Sequence, residues 1–572
     1  MREESLIFLI SVLFVLLLLG LIYTQVLNYK IYYAQSQNNF IRIVPIDGPR
    51  GKIIDRNGHV LVSNRLSLDA SCIYQEIGRK DRFINALEEM LQVSSKDIIG
   101  SLGRARERPF APVAVVEDID KDKAIAIEER EQDLSGLVIE PRSKRHYIYD
   151  DAASHVFGYL GEVNEKELEG LKEYGYRMRD LVGRSGLERY YNSYLMGMDG
   201  GEQVEVDALG RRFNVLGVKE PVPGKDLQLT IDLRLQLIVD RLLGDKKGAA
   251  LVMDPRNGEI LAMASHPSFD PNAFVKPNCG PERMRLLKGR GKPLLNRAIS
   301  GLYAPGSVFK IVIAASALET KRISSHTRFN CAGSYSLGNA TFGCWKEEGH
   351  GSQDIIEAIK NSCNVFFYQA GRAAGVDNIE AYAIRLGFGK PTGIDLPEEA
   401  SGLVPGRLWK MITKKSAWYE GETLNYSIGQ GYLLVTPIQV LRMTSAIANG
   451  GKLVRPYIVK RIGSVETGGA RLQDTGLSAD VINVIKEGMF RVVNDPFGTG
   501  KHARVDGLLI GGKTGTAQNP QGRSHAWFTG FAPWKDPKMA VVVLIEHGGK
   551  GGMDPAAIAR DIFKSAKEMG YL

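Results

Sequence analysis

The sequence of 572 residues lacks internal repeats, low-complexity tracts and nucleic-acid-binding motifs. Its basic residues are scattered rather than clustered, so the net charge of +8 does not by itself indicate a charged partner. A composition of 44% hydrophobic and 24% charged residues is that of a globular protein and excludes a disordered or fibrous one. The length predicts roughly three or four domains. We expect no nucleic acid among the partners.

Long apolar runs are also absent, with one exception near the N-terminus. Residues 6–23 form an uncharged run dominated by Leu, Ile, Val and Phe, which as a helix would be about 27 Å long. A cleavable signal peptide would have a shorter apolar region followed by small residues, and none follow here. The run therefore predicts an uncleaved transmembrane anchor at residues 5–23, preceded by a short cytoplasmic tail at residues 1–4. The charges of the tail do not decide how the anchor is oriented in the membrane, because two glutamates stand beside its one basic residue.

Turn signals divide the rest of the chain. An Asn-Gly turn at residues 55–58 lies between apolar residues and predicts a hairpin. The Pro-Val-Pro-Gly-Lys segment at residues 221–225 indicates a linker. Beyond it the patterns predict a hairpin at 249–253 and 260–264, mostly helix at 307–450, strands at 508–510, 526–531 and 539–545, and a helix at 555–569. Strands at both ends with helices between them indicate an α+β domain with an antiparallel sheet.

A Ser-x-x-Lys pair opens a predicted helix directly after Pro305-Gly306. Ser307 and Lys310 are three residues apart and therefore share a helix face. The free N–H groups at the helix start favour negative charge developing at the serine. The residues that follow are apolar on every face, which is typical of a buried helix. Burial would lower the pKa of Lys310 and make it a base. The alternative is an ordinary lysine that reaches the surface.

Two further motifs follow in the sequence. Ser362 and Asn364 form a Ser-x-Asn triplet, and Lys513 begins a Lys-Thr-Gly-Thr segment. Ser-x-x-Lys and Lys-Thr-Gly each occur once in the chain, and the three motifs stand in the order that class A β-lactamases and penicillin-binding proteins share. The chain thus resembles the class B penicillin-binding proteins, which are D,D-transpeptidases of peptidoglycan synthesis.

The resemblance covers nearly the whole chain. Four segments are similar to pedestal motifs of the family, namely residues 49–51, 55–58, 183–188 and 206–211. Two are similar to the start of its catalytic domain, namely residues 254–259 and 296–298. Residues 418–419, 421–423 and 427–432 resemble the elongation-type branch, penicillin-binding protein 2, more than the division-type branch.

The resemblance implies an α+β fold with three parts after the cytoplasmic tail. These are a single N-terminal transmembrane helix, an elongated and mostly β pedestal, and a penicillin-binding transpeptidase domain. The pedestal, a dimerisation-type domain, would comprise residues 24–225, with an inserted head at about 66–150. The transpeptidase domain would comprise residues 226–572 and contain an antiparallel sheet flanked by helices and a helical subdomain.

The resemblance also implies a mechanism. Ser307 would attack the D-Ala–D-Ala carbonyl with Lys310 as general base, and Ser362 would carry the proton to the leaving D-alanine. Asn364 and Lys513 would fix the position of the Ser362 hydroxyl and the electric field around it. The substrate-binding segment would be Thr514, Gly515 and Thr516, with the two threonines on the terminal carboxylate, and backbone N–H groups of Ser307 and Thr516 would form the oxyanion hole.

The function expected on these grounds is cross-linking of stem peptides during cell-wall elongation, inhibited by β-lactams. Two alternatives stay open: a D,D-carboxypeptidase, in which water takes the acyl group, and a non-catalytic scaffold that activates a glycosyltransferase. A β-lactamase is disfavoured by the length of the chain, and a β-lactam receptor by the short segment before the anchor.

Partners and location come from the resemblance alone. They are peptidoglycan stem peptides and β-lactams, a SEDS-type glycosyltransferase and elongation scaffold proteins. The anchor would lie in the inner (cytoplasmic) membrane, with the catalytic domain on the periplasmic or extracellular side, because the substrate exists only outside the cytoplasm.

Three of the five cysteines fall within 33 residues, with a histidine among them. Cys331, Cys344, His350 and Cys363 could supply a tetrahedral zinc site of structural kind, although their spacing is not that of a zinc finger. A disulfide between Cys331 and Cys344 is an alternative in an exported protein. A third is that Cys363 is a plain buried thiol. Metal ligands at equivalent places in some elongation-type relatives favour the zinc hypothesis, whereas catalysis needs no cofactor.

Overall fold

The fold contains both helices and strands in substantial number, which confirms the predicted α+β class. The computed structural model describes residues 2–30, 32, 41–106, 112–130, 134–171, 173, 176, 180–206, 212–277, 279–519 and 522–572. The predicted pedestal motif at residues 206–211 therefore lies outside the described residues, apart from the backbone of Val206.

The helices and strands are numbered separately in chain order. The α-helices are α1 Arg2–Ile22, α2 Lys80–Leu91, α3 Ser95–Arg106, α4 Lys121–Glu129, α5 Ser154–Phe157, α6 Glu165–Leu171, α7 Gly186–Tyr190, α8 Asn192–Leu195, α9 Leu233–Leu243, α10 Gly280–Lys288, α11 Lys310–Glu319, α12 Ile355–Lys360, α13 Asn364–Ala374, α14 Val376–Arg385, α15 Arg407–Lys414, α16 Glu420–Ser427, α17 Pro437–Ala448, α18 Ala479–Asn494 and α19 Asp554–Glu568. The strands are β1 Ile41–Ile46, β2 Ile53–Ile54, β3 Val60–Cys72, β4 Val113–Ile119, β5 Leu137–Tyr147, β6 Leu160–Glu162, β7 Leu181–Gly183, β8 Gly200–Val206, β9 Arg212–Lys219, β10 Leu227–Leu229, β11 Gly248–Met253, β12 Ile260–His266, β13 Phe329–Cys331, β14 Ser334–Leu337, β15 Ala340–Gly343, β16 Gly351–Gln353, β17 Lys452–Val454, β18 Val459–Ile462, β19 Val465–Glu466, β20 Leu472–Asp474, β21 Gly511–Asn519, β22 Gly522–Ala532 and β23 Met539–Ile545. Short 3₁₀-helices at Tyr74–Glu76, Pro271–Phe274, Gly306–Phe309 and Lys501–Ala503 and a π-helical turn at Tyr23–Leu27 complete the set.

The N-terminal helix is apolar on all sides. Its segment Leu6–Leu27 has a mean hydropathy of 3.1 and none of it is buried in the protein. Within the described part of the chain it is the one helix long and apolar enough to cross a membrane. It extends four residues beyond the predicted anchor, through the π-helical turn.

The chain forms two compact units. The first comprises Met1–Gly51, Asn64–Arg145 and Met196–Gly224. In it β8 pairs antiparallel with both β1 and β9. Residues 68–72 of β3 pair antiparallel with β4, and helices α2, α3 and α4 pack beside them. Phe83, Leu87 and Ile98 belong to a hydrophobic core that this unit forms for itself.

The second unit comprises Lys52–Ser63, His146–Leu195 and Lys225–Leu572. Its centre is a five-stranded antiparallel sheet in the order β12-β11-β23-β22-β21. Helices α17 and α19 pack against the strands of this sheet and cover their apolar side chains. Every residue of β11, β12 and β23 is buried. The predicted antiparallel sheet and the hairpins at residues 53–62 and 249–264 are thereby confirmed.

The central region of the second unit is less helical than its sequence pattern predicts. Four strands of three or four residues, β13 to β16, lie within residues 329–353, where helix was expected. In strands this short, any period-two pattern covers too few residues to distinguish a strand from a helix. The strand predicted at residues 508–510 was also wrong, because Leu508 instead closes a turn with Val505 and the strand begins at Gly511.

Candidate active site

Ser307 lies in the 3₁₀ turn Gly306–Phe309 that leads directly into α11. The segment before it is fixed from two sides. The backbone N–H of Gly306 donates to Gly429 O (3.0 Å), and the indole N–H of Trp527 donates to Ala304 O (3.1 Å). These bonds hold the serine at the start of a buried helix and leave its side chain partly exposed in a cleft.

Strand β21 packs closely against this turn. A Cβ atom on Gly515 would lie 2.8 Å from Val308 Cγ2 and 3.0 Å from Pro305 O. Gly306 has φ of +55°, and a Cβ there would lie 2.6 Å from Thr516 O. Both positions therefore require glycine, one for space and one also for its backbone conformation. The contact places the Lys-Thr-Gly-Thr segment beside Ser307.

Lys310 is fully buried and donates to the Ser-x-Asn motif. Its Nζ lies 2.7 Å from Ser362 O, 2.7 Å from Asn364 Oδ1 and 3.4 Å from Ser362 Oγ. Burial lowers its pKa to about 8, because the buried surroundings disfavour the charged amine. The predicted burial of Lys310 is thus observed. Among the described residues no hydrogen bond joins Lys310 to Ser307, so the three-residue spacing does not by itself produce such a bond.

Lys513 approaches the same serine from the sheet. Its Nζ donates to Ser362 Oγ (2.9 Å) and to Thr514 O (2.8 Å), and the side chain is fully buried. Burial, and then the charge of Lys310, hold the pKa of Lys513 well below its ordinary value. The hydroxyl of Ser362 therefore lies between two amines that come from different parts of the chain.

Ser362 itself has a strained backbone. Its φ is +50°, a left-handed conformation that non-glycine residues seldom adopt. The turn is held by Ser362 N–H to Ile359 O (3.2 Å) and Cys363 N–H to Ala358 O (3.0 Å), at the end of α12. The strained residue is the one whose hydroxyl lies near both amines, and strained residues cluster at functional sites.

The three motifs line one cleft of about 870 Å³. Strand β21 is the edge strand of the sheet, so one of its sides is free of a neighbouring strand among the described residues. Thr514 and Thr516 face the cleft from this strand, and Gly515 lies between them against the serine turn. An edge strand beside a nucleophile can bind an extended peptide by backbone hydrogen bonds.

The cleft also contains residues that the sequence did not single out. Among them are Trp345, Phe497, Lys501 and Lys550, which all lie in loops or at the ends of elements. Phe497 is 85% exposed and Trp345 58% exposed, which is unusual for large aromatic side chains. No motif or periodicity in the sequence identifies such residues, because their position depends on how separate loops meet.

The cysteine cluster expected from the sequence also forms. The ligand atoms of Cys331, Cys344, His350 and Cys363 all lie within 4.8 Å of one another. His350 Nδ1 lies 3.6 Å from Cys331 Sγ and 3.5 Å from Cys344 Sγ. All five cysteines of the chain are free thiols in the structure, so the alternative Cys331–Cys344 disulfide is not formed. Hydrogen bonds from the Cys363 thiol and then from His350 hold the pKa of Cys344 below its ordinary value.

The cluster is joined to the Ser-x-Asn motif. Cys363 stands between Ser362 and Asn364 and caps α13, where its Sγ accepts from Phe366 N–H at 3.4 Å. On the other side of the cluster, Gly343 O accepts from Asn364 Nδ2 at 3.3 Å. Whatever holds the four side chains together therefore also holds the Ser-x-Asn turn.

Comparison with known proteins agrees with this geometry. The penicillin binding protein transpeptidase domain matches residues 248–564, and the penicillin-binding protein dimerisation domain matches residues 45–229. The chain is similar to peptidoglycan D,D-transpeptidase MrdA of Haemophilus influenzae, with 34% identity over 97% of this chain and 90% of the relative.

Solved structures are similar to this chain over nearly its whole length. In the complex between penicillin-binding protein PBP2 and MreC from Helicobacter pylori, PBP2 has a TM-score of 0.83 and 32% identity, covering 93% of this chain and all of that one. A chain of the structure titled "Structural coordination of polymerization and crosslinking by a peptidoglycan synthase complex" has a TM-score of 0.75 and 32% identity, covering 99% of this chain and 98% of that one. Together with the cleft, these matches mean that the chain belongs to the class B penicillin-binding proteins and is most like penicillin-binding protein 2 of the elongation-type branch.

Proposed function

We propose that this chain is a peptidoglycan D,D-transpeptidase that cross-links stem peptides during cell-wall elongation, with Ser307 as the acylated nucleophile. The observation that carries the proposal is that Ser362 Oγ lies within hydrogen-bonding reach of both Lys310 and Lys513, in the cleft that Ser307 lines. Relatives that cover nearly the whole chain are named D,D-transpeptidases. β-Lactams would acylate the same serine and inhibit the enzyme.

In the first step Ser307 Oγ attacks the carbonyl carbon of the D-Ala–D-Ala bond. Lys310 is the general base, since its low pKa leaves a large share of the amine neutral near pH 8. The Lys310 amine takes the proton from Ser307 Oγ. Backbone N–H groups of Ser307 and Thr516 stabilise the tetrahedral oxyanion.

Collapse of the tetrahedral intermediate breaks the peptide bond. Ser362 carries a proton from the lysine side of the cleft to the leaving nitrogen of D-alanine, helped by its hydrogen bond to Lys513. Asn364 accepts from Lys310 and keeps that amine near Ser362. Thr514 and Thr516 hold the terminal carboxylate, which fixes the scissile bond over Ser307.

In the second step an amine of another stem peptide attacks the acyl-enzyme and regenerates Ser307. If water attacked instead, the enzyme would be a D,D-carboxypeptidase, and no observation favours that alternative. We propose residues 24–225 as a pedestal with an inserted head at about 66–150, and residues 226–572 as the transpeptidase domain.

The test incubates a D-Ala–D-Ala donor peptide with the purified full-length protein. It measures two products, released D-alanine and the cross-linked peptide. Without an acceptor, D-alanine release should be slow. When an acceptor peptide with a free side-chain amine is added, D-alanine release should rise at least about tenfold. The amount of cross-linked product should equal the amount of D-alanine released. Equal hydrolysis with and without acceptor would favour the carboxypeptidase. No acylation and no release from folded protein would favour the scaffold.

The location and partners follow from the anchor and the relatives. The apolar helix would cross the inner membrane once and place the catalytic unit on the periplasmic side, where the substrate is. One similar structure is titled as a complex of PBP2 with MreC, and another as part of a peptidoglycan synthase complex. We propose corresponding partners here, namely an elongation scaffold protein and a SEDS-type glycosyltransferase.

The cysteine cluster fits a structural zinc ion. Three thiolates and one imidazole are a donor set that zinc prefers, and the span of 4.8 Å between ligand atoms is compatible with tetrahedral Zn–S and Zn–N distances of about 2.0–2.3 Å. The N–H of Phe366 already faces Cys363 Sγ, as an outer-shell donor to a bound thiolate would. Cys331, Cys344, His350 and Cys363 would hold the ion, which would brace the Ser-x-Asn turn and take no part in the reaction.

The zinc proposal predicts one ion per chain. Elemental analysis of the purified protein should give about one equivalent of zinc, and Cys344→Ser should reduce it to less than about a fifth. Cys279→Ser is the matched control, because Cys279 is a free thiol outside the cluster. A wild-type protein that contains no zinc and has five titratable thiols would contradict the proposal.

A further inference from the structure

A second, smaller cavity adjoins the cleft around Ser307. Its volume is about 180 Å³, whereas the cleft measures about 870 Å³. Asn425 and Gln430 line both of them, so the two cavities meet at these side chains. Gln430 follows Gly429, whose carbonyl accepts from the N–H of Gly306 in the serine turn at 3.0 Å. A substrate that is bound at Ser307 can therefore extend into the smaller cavity.

Three aromatic rings line this second cavity, those of Trp418, Tyr426 and Tyr432. The centroids of the Trp418 and Tyr426 rings are 6.0 Å apart. The Tyr426 ring also stacks on Phe309 with 5.3 Å between centroids, and the Tyr432 ring packs against Trp409 at 5.2 Å. These contacts hold the rings in place before a ligand binds, which reduces the entropy that binding would lose.

The second cavity also contains polar groups that bind nothing within the protein. The hydroxyl of Tyr426 is buried and, among the described residues, has no hydrogen-bond partner. The side-chain amides of Asn425 and Gln430 and the hydroxyl of Tyr432 likewise make no hydrogen bond within the described part of the chain. A buried polar atom without a partner costs free energy. Its presence in the wall of a cavity therefore favours a ligand that supplies the missing partner.

The charge of this cavity is balanced. Glu422 is the one charged residue among the described residues that line it. Its carboxylate lies 2.6 Å from Nζ of the buried Lys410 and accepts from the N–H of Tyr419 at 2.8 Å. A charged ligand would find no free counter-ion here, which disfavours the carboxylate and amine ends of a peptide.

A sugar ring fits these features. A cavity of about 150 Å³ holds a six-membered ring, so the second cavity suits one ring rather than a run of residues. An N-acetylated sugar is neutral. Its C–H faces pack on aromatic rings, and its hydroxyl and acetamido groups exchange hydrogen bonds with amides and hydroxyls. A purely apolar ring would leave the Tyr426 hydroxyl without a partner.

We propose that the second cavity is a sugar subsite, which binds an N-acetylated sugar of the glycan strand that carries a stem peptide. This inference rests on the proposed transpeptidase function and adds the glycan to its substrate. Trp418 and Tyr432 provide faces on which the sugar packs, and Tyr426, Asn425 and Gln430 form hydrogen bonds with its polar groups. These residues make and break no covalent bond in the reaction. Donor and acceptor peptides both carry such a sugar, so the experiment tests each.

The experiment compares stem peptides with and without their disaccharide. The full chain in detergent receives a D-Ala–D-Ala donor and an amine-bearing acceptor, with the disaccharide on neither, on the donor alone or on the acceptor alone. In wild type the disaccharide should raise kcat/KM for cross-linking at least about tenfold on one of the two peptides, because ring contacts and hydrogen bonds are added together. That peptide is the source of the bound sugar. Equal values for all three combinations would contradict the subsite.

Two variants test the wall of the cavity. Tyr426→Phe removes only the unpartnered hydroxyl and should lower the preference for the disaccharide by about three- to fivefold, since one hydrogen bond is lost. Tyr432→Leu removes an aromatic face and should lower the preference to less than about twofold. Tyr382→Phe and Tyr190→Leu are the matched controls, because they make the same changes at tyrosines that line neither cavity, and they should keep the full preference.

The subsite is wrong if both cavity variants keep the wild-type preference. It is also wrong if they slow the reactions with and without the disaccharide by the same factor, which would mean general damage to the neighbouring cleft.

Binding measured without turnover separates this proposal from the transpeptidase function. Ser307→Ala lacks the nucleophile, and calorimetry on this protein should give, for the donor or the acceptor peptide, a Kd at least about tenfold lower with the disaccharide than without it. If this difference is present but wild type neither reacts with benzylpenicillin nor releases D-alanine, the transpeptidase function fails and the subsite stands. If wild type is active and the disaccharide changes neither Kd, the subsite is wrong.

Discussion

Replacing Ser307 by alanine is expected to abolish the covalent adduct with benzylpenicillin. The mutation removes the atom that forms the ester, so the rate of acylation should fall at least about 10⁴-fold. Intact-mass spectrometry of wild type should show one equivalent of adduct that persists for many minutes. The variant should show none, while its Tm changes by no more than about 2 °C because the side chain is small and partly exposed.

The matched control for this experiment is Ser316→Ala. Ser316 lies on α11, the helix that follows the Ser307 turn, is fully buried, and among the described residues its hydroxyl has no hydrogen-bond partner. It should acylate like wild type. An adduct that forms in Ser307→Ala at the normal rate, or that maps to another peptide, would assign the nucleophile elsewhere and remove the basis of the mechanism.

The second large effect is expected at Lys310. Lys310→Met keeps the length of the side chain but removes the base, and general base catalysis contributes about 10²- to 10⁴-fold, so we expect acylation to slow by about 10³-fold. Stopped-flow or quenched reactions with benzylpenicillin measure this. Lys486→Met is the control, because that amine is half-buried, also has a lowered pKa and donates to Ala448 O away from the cleft.

The pH dependence of the wild-type rate gives an independent test of Lys310. Burial lowers its pKa to about 8, and only the neutral amine can take a proton. The rate of acylation should therefore fall as the pH drops below about 8 and level off above about 9. A rate that stays constant from pH 6 to 9, or a Lys310→Met variant with the wild-type rate, would exclude this lysine as the base.

Much of this site could be predicted because its signals are local in sequence. Ser307 and Lys310 are three residues apart, and the apolar sequence of the helix that Lys310 begins correctly indicated burial. The alternation and turn residues around Asn57-Gly58 and Asn257-Gly258 likewise define hairpins that the structure contains. In each case the short-range pattern and the tertiary environment favour the same structure.

The rest depends on contacts that no short-range pattern encodes. Lys310 and Ser362 are 52 residues apart, and Ser362 and Lys513 are 151 apart, so their hydrogen bonds follow only from the packing of helices on the sheet. The strained φ of Ser362 has no signal in its residue type. Lys501 and Lys550 appear in the sequence as ordinary surface lysines, because no motif near them indicates that they line the cleft.

Strand β21 has a further consequence for the protein outside its reaction. An edge strand with free backbone groups is where folded β proteins tend to aggregate, by pairing edge to edge. Here the edge lies along a cleft that Trp345, Phe497 and two exposed lysines also line. A single extended peptide can reach it, whereas the sheet of another folded molecule would meet these side chains and like charges first. We therefore expect the cleft around Ser307 also to limit self-association of the protein through strand β21.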